Sequence, residues 1–203
     1  MATDPAGDFL DVYTGPENGD LDVITFDALL TGADEVTLVG THAAPIGTTE
    51  GAAYVWGIDR GAGTEPFPTL DPPTGEGVTF DAVVSLLPDG TGVLIDLAAG
   101  TPPQPLDPSS ISVSGPTIAV TLPGSLLPSQ GRDFADYTYN LWPRFAPAGV
   151  DPTDNTQVSD FAPDASTFPA IIPLPGALGL QLAGLAVLGA VGWRRRRAEL
   201  QPG

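Results

Sequence analysis

Val78-Thr79-Phe80-Asp81-Ala82-Val83-Val84-Ser85-Leu86-Leu87, then Pro88-Asp89-Gly90, then Thr91-Gly92-Val93-Leu94-Ile95-Asp96-Leu97, reads as two strands folded back on one turn. Proline presets its own φ, aspartate hydrogen-bonds its neighbouring backbone, and glycine takes the left-handed conformation that closes the turn. The flanks are rich in β-branched residues, as a pleated, half-buried surface prefers. Outward from this hairpin the same grammar repeats. Asp22–Leu30 alternates, with Ile24, Phe26 and Ala28 opposing Val23, Thr25 and Asp27. Glu35–Thr41 puts Val36, Leu38 and Gly40 on one face, and Ala52–Ile58 carries Tyr54 and Trp56. Ile111–Ser114 and Thr117–Leu122 flank Gly115-Pro116 as a second hairpin, and Tyr137–Trp142 is the last clear strand. Residues 64–76, with four prolines and no periodicity, read as a long loop, and Ser125–Leu127 as one helical turn. Short alternating strands with almost no helix predict an all-β, antiparallel β-sandwich of jelly-roll or Ig-like type over residues 1–142.

The composition limits the functions available. Glycine (25) and proline (23) make up nearly a quarter of the 203 residues, but 42% of the chain is apolar and falls in short runs, which favours a loop-rich β domain over disorder. Residues 1–170 hold 24 acids against Arg60, Arg132 and Arg144, and lysine is absent throughout. So acidic a surface repels nucleic acid and anionic lipid, and excludes a nucleic-acid partner. With no cysteine there is neither a disulfide nor a thiol nucleophile.

The rest of the chain changes character. Residues 143–171 are rich in Pro, Asp and Ser, and read as a disordered stalk with at most one short strand near Gln157–Phe161. Ile172-Pro173-Leu174-Pro175-Gly176 follows, then an uncharged run from Ala177 to Trp193, four arginines (Arg194, Arg195, Arg196, Arg197), and a short end over 198–203. As a helix the 17-residue run spans roughly 26 Å, close to the ~30 Å hydrocarbon core of a bilayer. Its large side chains (Leu178, Leu180, Leu182, Leu185, Val187, Leu188, Val191, Trp193) leave no polar face, and Ala177, Gly179 and further small residues suit a bilayer better than a soluble helix. The run therefore predicts one transmembrane helix, with the arginines as its cytoplasmic stop by the positive-inside bias. Pro173 and Pro175 bias the residues before them to extended backbone, the form a protease cleft binds.

This order of proline motif, apolar helix and arginine cluster over 172–197 resembles the PEP-CTERM class of bacterial sorting signals in its VPLPA variant. Ile172 stands for valine and Gly176 for alanine. The resemblance implies an exosortase, a membrane-embedded cysteine transpeptidase, as a partner that cleaves near the motif. It implies a cell-envelope membrane location before processing and the cell surface or the medium after it. Tyr-Val-Trp-Gly-Ile-Asp-Arg-Gly (54–61) and Tyr-Asn-Leu-Trp-Pro-Arg (139–144) resemble bodies found on such proteins. Met1–Pro5 shows neither a basic n-region nor an apolar h-region, so the expectation is that Ala2 lies near a mature terminus.

Chemistry in the body is sparse. His42 is the single histidine and no Gly-x-Ser-x-Gly elbow accompanies it, so it reads as a surface polar residue and the chain as a non-enzyme with no cofactor. Three acid clusters stand out: Asp4, Asp8 and Asp11; Glu17, Asp20 and Asp22; Asp151, Asp154 and Asp160. Calcium takes about six to eight oxygen ligands, and a calcium site would draw on Asp4, Asp8, Asp11, Asp20 and Asp22, although none of these clusters has EF-hand spacing. The plainer use of the acids is to keep an exported domain soluble. Trp56, Trp142, Tyr54, Tyr137 and Tyr139 read as core, with a sugar-stacking platform as the alternative; Arg60 and Arg144 read as internally paired. Two functions follow: a non-enzymatic surface or extracellular-matrix protein delivered by its sorting tail, or a carbohydrate-binding or carbohydrate-active sandwich that contacts extracellular polysaccharide.

Overall fold

The hairpin forms where its turn chemistry demands, in a computed structural model that describes residues 1–32, 34–147, 151 and 153–172. Strand β5 (Ala82–Leu86) pairs antiparallel with β6 (Gly92–Asp96), Gly90 takes φ +81°, and Asp89 Oδ1 accepts from the Thr91 N–H at 2.9 Å. The first strand begins at Ala82, later than its alternation suggested. Asp81 turns its carboxylate to Arg60, and Phe80 pairs instead with Thr64. Around this hairpin lie β1 (Ala2–Thr3), β2 (Val23–Gly32), β3 (Glu35–His42), β4 (Ala52–Asp59), β7 (Gln104–Pro105), β8 (Ile111–Ser114), β9 (Thr117–Pro123), β10 (Thr138–Phe145) and β11 (Phe168–Pro169). One sheet has the order β1-β2-β3-β9-β8 and the other β11-β10-β4-β5-β6-β7, with antiparallel ladders throughout. The helical elements among the described residues are single 3₁₀ turns, including Gly124–Leu126 near the turn expected at Ser125–Leu127.

The two sheets share a core in which Phe26, Leu38, Ile118 and Val120 of the first meet Tyr54, Trp56, Val84, Tyr139 and Leu141 of the second. Strands β3 and β9 are buried on alternate residues, as a sheet with one solvated face should be. Strand β4 is buried at every position. Its outer face is covered by a second cluster in which Val55 and Trp142 pack with Phe67, Val78 and Phe80 from the proline-rich loop region, and with Val158 and Phe161.

That second cluster corrects the expected stalk. Residues 143–145 are the end of β10, Val158 bridges to Arg144, Ala162 exchanges backbone hydrogen bonds with Leu141, and β11 pairs with β10. Ile171 lies parallel to Leu29, donating to the Ala28 carbonyl at 2.7 Å. The compact unit therefore runs from Met1 to Ile172, not to residue 142. The segment has few apolar residues, but Val158, Phe161 and Ala162 are fully buried, and two of its buried polar side chains bond distant backbone: Ser159 Oγ donates to the Leu21 and Pro143 carbonyls, and Asn155 Nδ2 to those of Phe67 and Pro72. Polarity here is structural, which composition alone hides.

Of the expected sorting motif only Ile172, an exposed residue, is described. Pro173, Leu174, Pro175, Gly176, the apolar run Ala177–Trp193, Arg194–Arg197 and residues 198–203 lie outside the described residues. Among the described residues no helix is long and apolar enough to cross a membrane.

Candidate metal centre

Four carboxylates from the two ends of the compact unit converge beside the start of β2. Asp4 follows β1, and its N–H donates to the Ile24 carbonyl at 2.9 Å. The chain then turns at Gly7, where φ is +81° and the N–H donates to Asp22 Oδ2 at 2.9 Å, and this turn delivers Asp8. The Leu10 N–H donates to the Ser159 carbonyl at 2.9 Å, laying the first loop along the segment that holds Asp160. Asp160 Oδ2 accepts from the Val23 N–H at 2.8 Å and Oδ1 from the Phe161 N–H at 2.7 Å, so its carboxylate is held from both sides. Asp164 follows after one more turn. Asp4, Asp8, Asp160 and Asp164 each offer an oxygen, and these oxygens all lie within 4.8 Å of one another.

The electrostatics are one-sided. Asp4 (8% exposed), Asp22 (5%) and Asp160 (1%) are buried. Burial pushes the Asp4 carboxyl up, and the charges of Asp8, Asp164 and Asp22 push it further. Burial likewise raises Asp160, with Asp4 and Asp8 adding to it against the two backbone donors, and it raises Asp22 and Asp164, each beside Asp8. Asp4 Oδ2, Asp8 Oδ1 and Asp22 Oδ1 are buried and receive no hydrogen bond. An ionised carboxylate is purely an acceptor, so these oxygens lack the donor or cation that burial normally requires. The donor set is hard oxygen throughout, which suits calcium, magnesium or manganese rather than a thiophilic metal.

Of the five acids expected at a calcium site, the structure brings together Asp4 and Asp8, with Asp22 beside them, and separates the other two. Asp11 is exposed. Asp20 is spent on the core, accepting from Thr49 N–H (2.8 Å), Thr49 Oγ1 (2.6 Å) and the Tyr54 hydroxyl (3.3 Å). Sequence proximity missed Asp164 and grouped Asp160 with Asp151 and Asp154, which instead cap local turns by accepting from the Thr153 and Thr156 N–H groups. Only the pairing of the chain's first loop with residues 159–164 reveals the set.

The remaining candidates resolve into core. His42 is buried rather than on the surface, its ring edge-on to Tyr54 at 4.9 Å, and burial lowers it to about 4. Tyr54, Trp56, Tyr137, Tyr139 and Trp142 are all at most 2% exposed, so they form no exposed stacking platform. Arg60 is fully buried between Asp81 and Asp96, paired internally as expected. Arg144 Nη2 donates to the Asp154 carbonyl at 3.0 Å and borders an apolar groove of about 370 Å³ on the outer face of the second sheet, walled by Phe67, Val83, Ile95 and Trp142. No protein-family model matches the chain, and no curated protein matches it by sequence.

Proposed function

We propose that the chain is a non-enzymatic, exported surface or extracellular-matrix protein whose body is an Ig-like sandwich and whose tail is a sorting signal read by an exosortase-type transpeptidase. The observation that carries the sorting reading is the order of Ile172–Gly176, the uncharged run 177–193 and Arg194–Arg197, beginning at the residue where the compact unit ends. A cleavage near the motif releases an intact body, because the packed unit is complete at Ile172. The apolar run holds the precursor in the envelope membrane until the enzyme acts, and the arginines retain it.

The connectivity supports the Ig-like form over the jelly roll. β3 pairs with β9 and β4 with β10, so the sheets take the order of a variable-type immunoglobulin domain: β2-β3-β9-β8 against β11-β10-β4-β5-β6. In that correspondence Trp56 occupies the buried tryptophan strand. Gly40 and Leu141 stand where an inter-sheet disulfide would join the third and tenth strands: a Cβ on Gly40 would come within 2.6 Å of Leu141 Cδ2 and 3.4 Å of the Trp56 ring. Tyr137, just before β10, donates its hydroxyl to the Leu127 carbonyl at 3.0 Å and so ties the entry of that strand to the preceding segment.

A non-enzymatic role is supported by how the polar residues are used. His42, the single histidine, is sealed in the core, and the buried Asp20 and Asp81 are held there by hydrogen bonds. The second reading, polysaccharide binding, draws on the groove beside Trp142 alone. Mass measurement of the C-terminus, on protein recovered from a host with a working signal peptide and exosortase, tests the proposal. Loss of residues 177–197 is expected, and their retention would make the run a permanent anchor.

A further inference from the structure

We infer that Asp4, Asp8, Asp160 and Asp164 bind a single calcium ion, with Asp22 as a fifth carboxylate beside it. The inference is independent of the sorting tail and rests on geometry and on unmet hydrogen-bonding capacity. Calcium binds oxygen at about 2.3–2.6 Å, so two ligands on opposite sides of one ion stand about 4.6–5.2 Å apart. The four carboxylate oxygens all fall within 4.8 Å of one another, a spread that one calcium ion fills. Magnesium, at about 2.0–2.1 Å, would need opposed ligands near 4.2 Å and an octahedral arrangement that keeps several waters.

The second observation is independent of the clustering. Asp4 and Asp22 are each more than nine-tenths buried, and Asp4 Oδ2 and Asp22 Oδ1 accept no hydrogen bond. Elsewhere in this protein buried carboxylates are fully employed: Asp20 by Thr49 and Tyr54, and Asp81 by Arg60. The charges acting on Asp4 are those of Asp8, Asp164 and Asp22, all acids, and its side chain shares a hydrogen bond with Asp160. Among the described residues arginine, the usual remedy for a buried carboxylate, is committed elsewhere: Arg60 to Asp81 and Asp96, Arg132 to Asp59, and Arg144 to the Asp154 carbonyl. Without a cation, these carboxylates can lie so close only by sharing protons. A divalent ion supplies the missing charge and fills the vacant oxygens together, displacing those protons as it binds.

The ion would fasten the first loop to the 160–164 segment and so stabilise the fold in a calcium-rich medium. Full-length protein stripped with a chelator is titrated with calcium chloride near neutral pH by calorimetry, in two buffers of different ionisation enthalpy. One ion per chain, a buffer-dependent heat that reports proton release, and a melting midpoint raised by about 4 °C or more are expected. Asp8→Asn and Asp164→Asn, at the more accessible ligands, should each weaken binding about tenfold or more without lowering the metal-free melting midpoint, since each relieves repulsion. Asp11→Asn, outside the set, should bind as the parent does. Absence of saturable heat at millimolar calcium, saturation by magnesium at the same concentration, or equal binding by the Asp8 and Asp164 variants would overturn the assignment.

Discussion

Replacing Arg60 with methionine tests the account of the core most directly. Arg60 follows β4 and is fully buried, yet its guanidinium is well satisfied: Nε to Asp81 Oδ1 at 2.6 Å, Nη2 and Nη1 to the two Asp96 oxygens at 2.7 and 2.9 Å, and Nη1 to the Pro128 carbonyl at 3.2 Å. Its own carbonyl accepts from Gln130 and Arg132, so one residue joins the end of β4, the residue that leads into β5, the end of β6 and the 128–132 segment. Asp96 is held below the usual carboxylate range by this contact. Methionine fills the aliphatic volume but strands Asp81 (3% exposed) and Asp96 without their cation. Breaking a buried pair from one side costs about 3–5 kcal/mol, which for a unit of this size lowers the melting midpoint by about 6–20 °C. Lysine keeps the charge but loses the two-pronged contact with Asp96, and should fall between methionine and the parent. The assay is denaturant and thermal unfolding followed by far-UV circular dichroism. Adding Asp81→Asn and Asp96→Asn to Arg60→Met should recover at least half of the loss, because the stranded charges are then gone while the Asp81 side chain still accepts from the Arg60 and Ala62 N–H groups. If Arg60→Met unfolds within about 1 kcal/mol of the parent, as an exposed pair would, the clamp is not what holds these segments.

The carboxyl cluster and His42 impose opposite pH dependences. Asp4, Asp160 and Asp164 are raised in the fold, so their share of the stability is present below the ordinary carboxylate value and is lost as pH rises through the raised values; the metal-free melting midpoint should fall from neutral pH upward, and saturating calcium should remove that fall. His42 is lowered to about 4 from its ordinary value of about 6.5, so its share is intact above 6.5 and lost as pH falls towards 4, about 3 kcal/mol that a His42→Phe variant should no longer lose on acidification. Phe161, fully buried against Phe67 and Trp142, should cost about 3–5 kcal/mol on replacement by alanine, measured by urea unfolding; a chain ending at Trp142 should give a random-coil dichroism spectrum where one ending at Ile172 gives a β-type spectrum.

What sequence shows well is whatever one strand and its turn determine locally. Pro88-Asp89-Gly90 named its hairpin because proline, an Asx bond and a left-handed glycine each have one use there. The alternation of Glu35–Thr41 and Thr117–Leu122 named two strands because each has one solvated face. Strand β4 is harder, because the code of alternation vanishes when both faces are covered, and its outer cover comes from Phe67 and Phe161, residues in segments without periodicity. Residues 143–172 failed for a related reason. Their anchoring is by side chain to backbone, as with Asn155 Nδ2 and Ser159 Oγ, and a polar residue that bonds a distant carbonyl is indistinguishable in sequence from one that faces water.

The acidic site lies where the fold most needs a fastening. Strands β1 and β11 are two residues long and sit at the outer edges of the two sheets, so neither end of the compact unit is secured by more than a short ladder. The protein has no cysteine to tie them, and the position between Gly40 and Leu141 is filled by packing under Trp56 instead. At one end the Leu10 and Thr14 N–H groups reach the Ser159 and Thr156 carbonyls; at the other, Ile171 lies beside Leu29 and Phe168 packs edge-on against Phe26. Asp4 and Asp8 belong to the first of these ends and Asp160 and Asp164 to the second, and without a counter-charge their mutual repulsion opposes the hydrogen bonds around them. Bridged by a cation, the same four residues become the link between the ends. Sequence made two of the four visible because they are neighbours, and it concealed the other two because the fold alone makes them so.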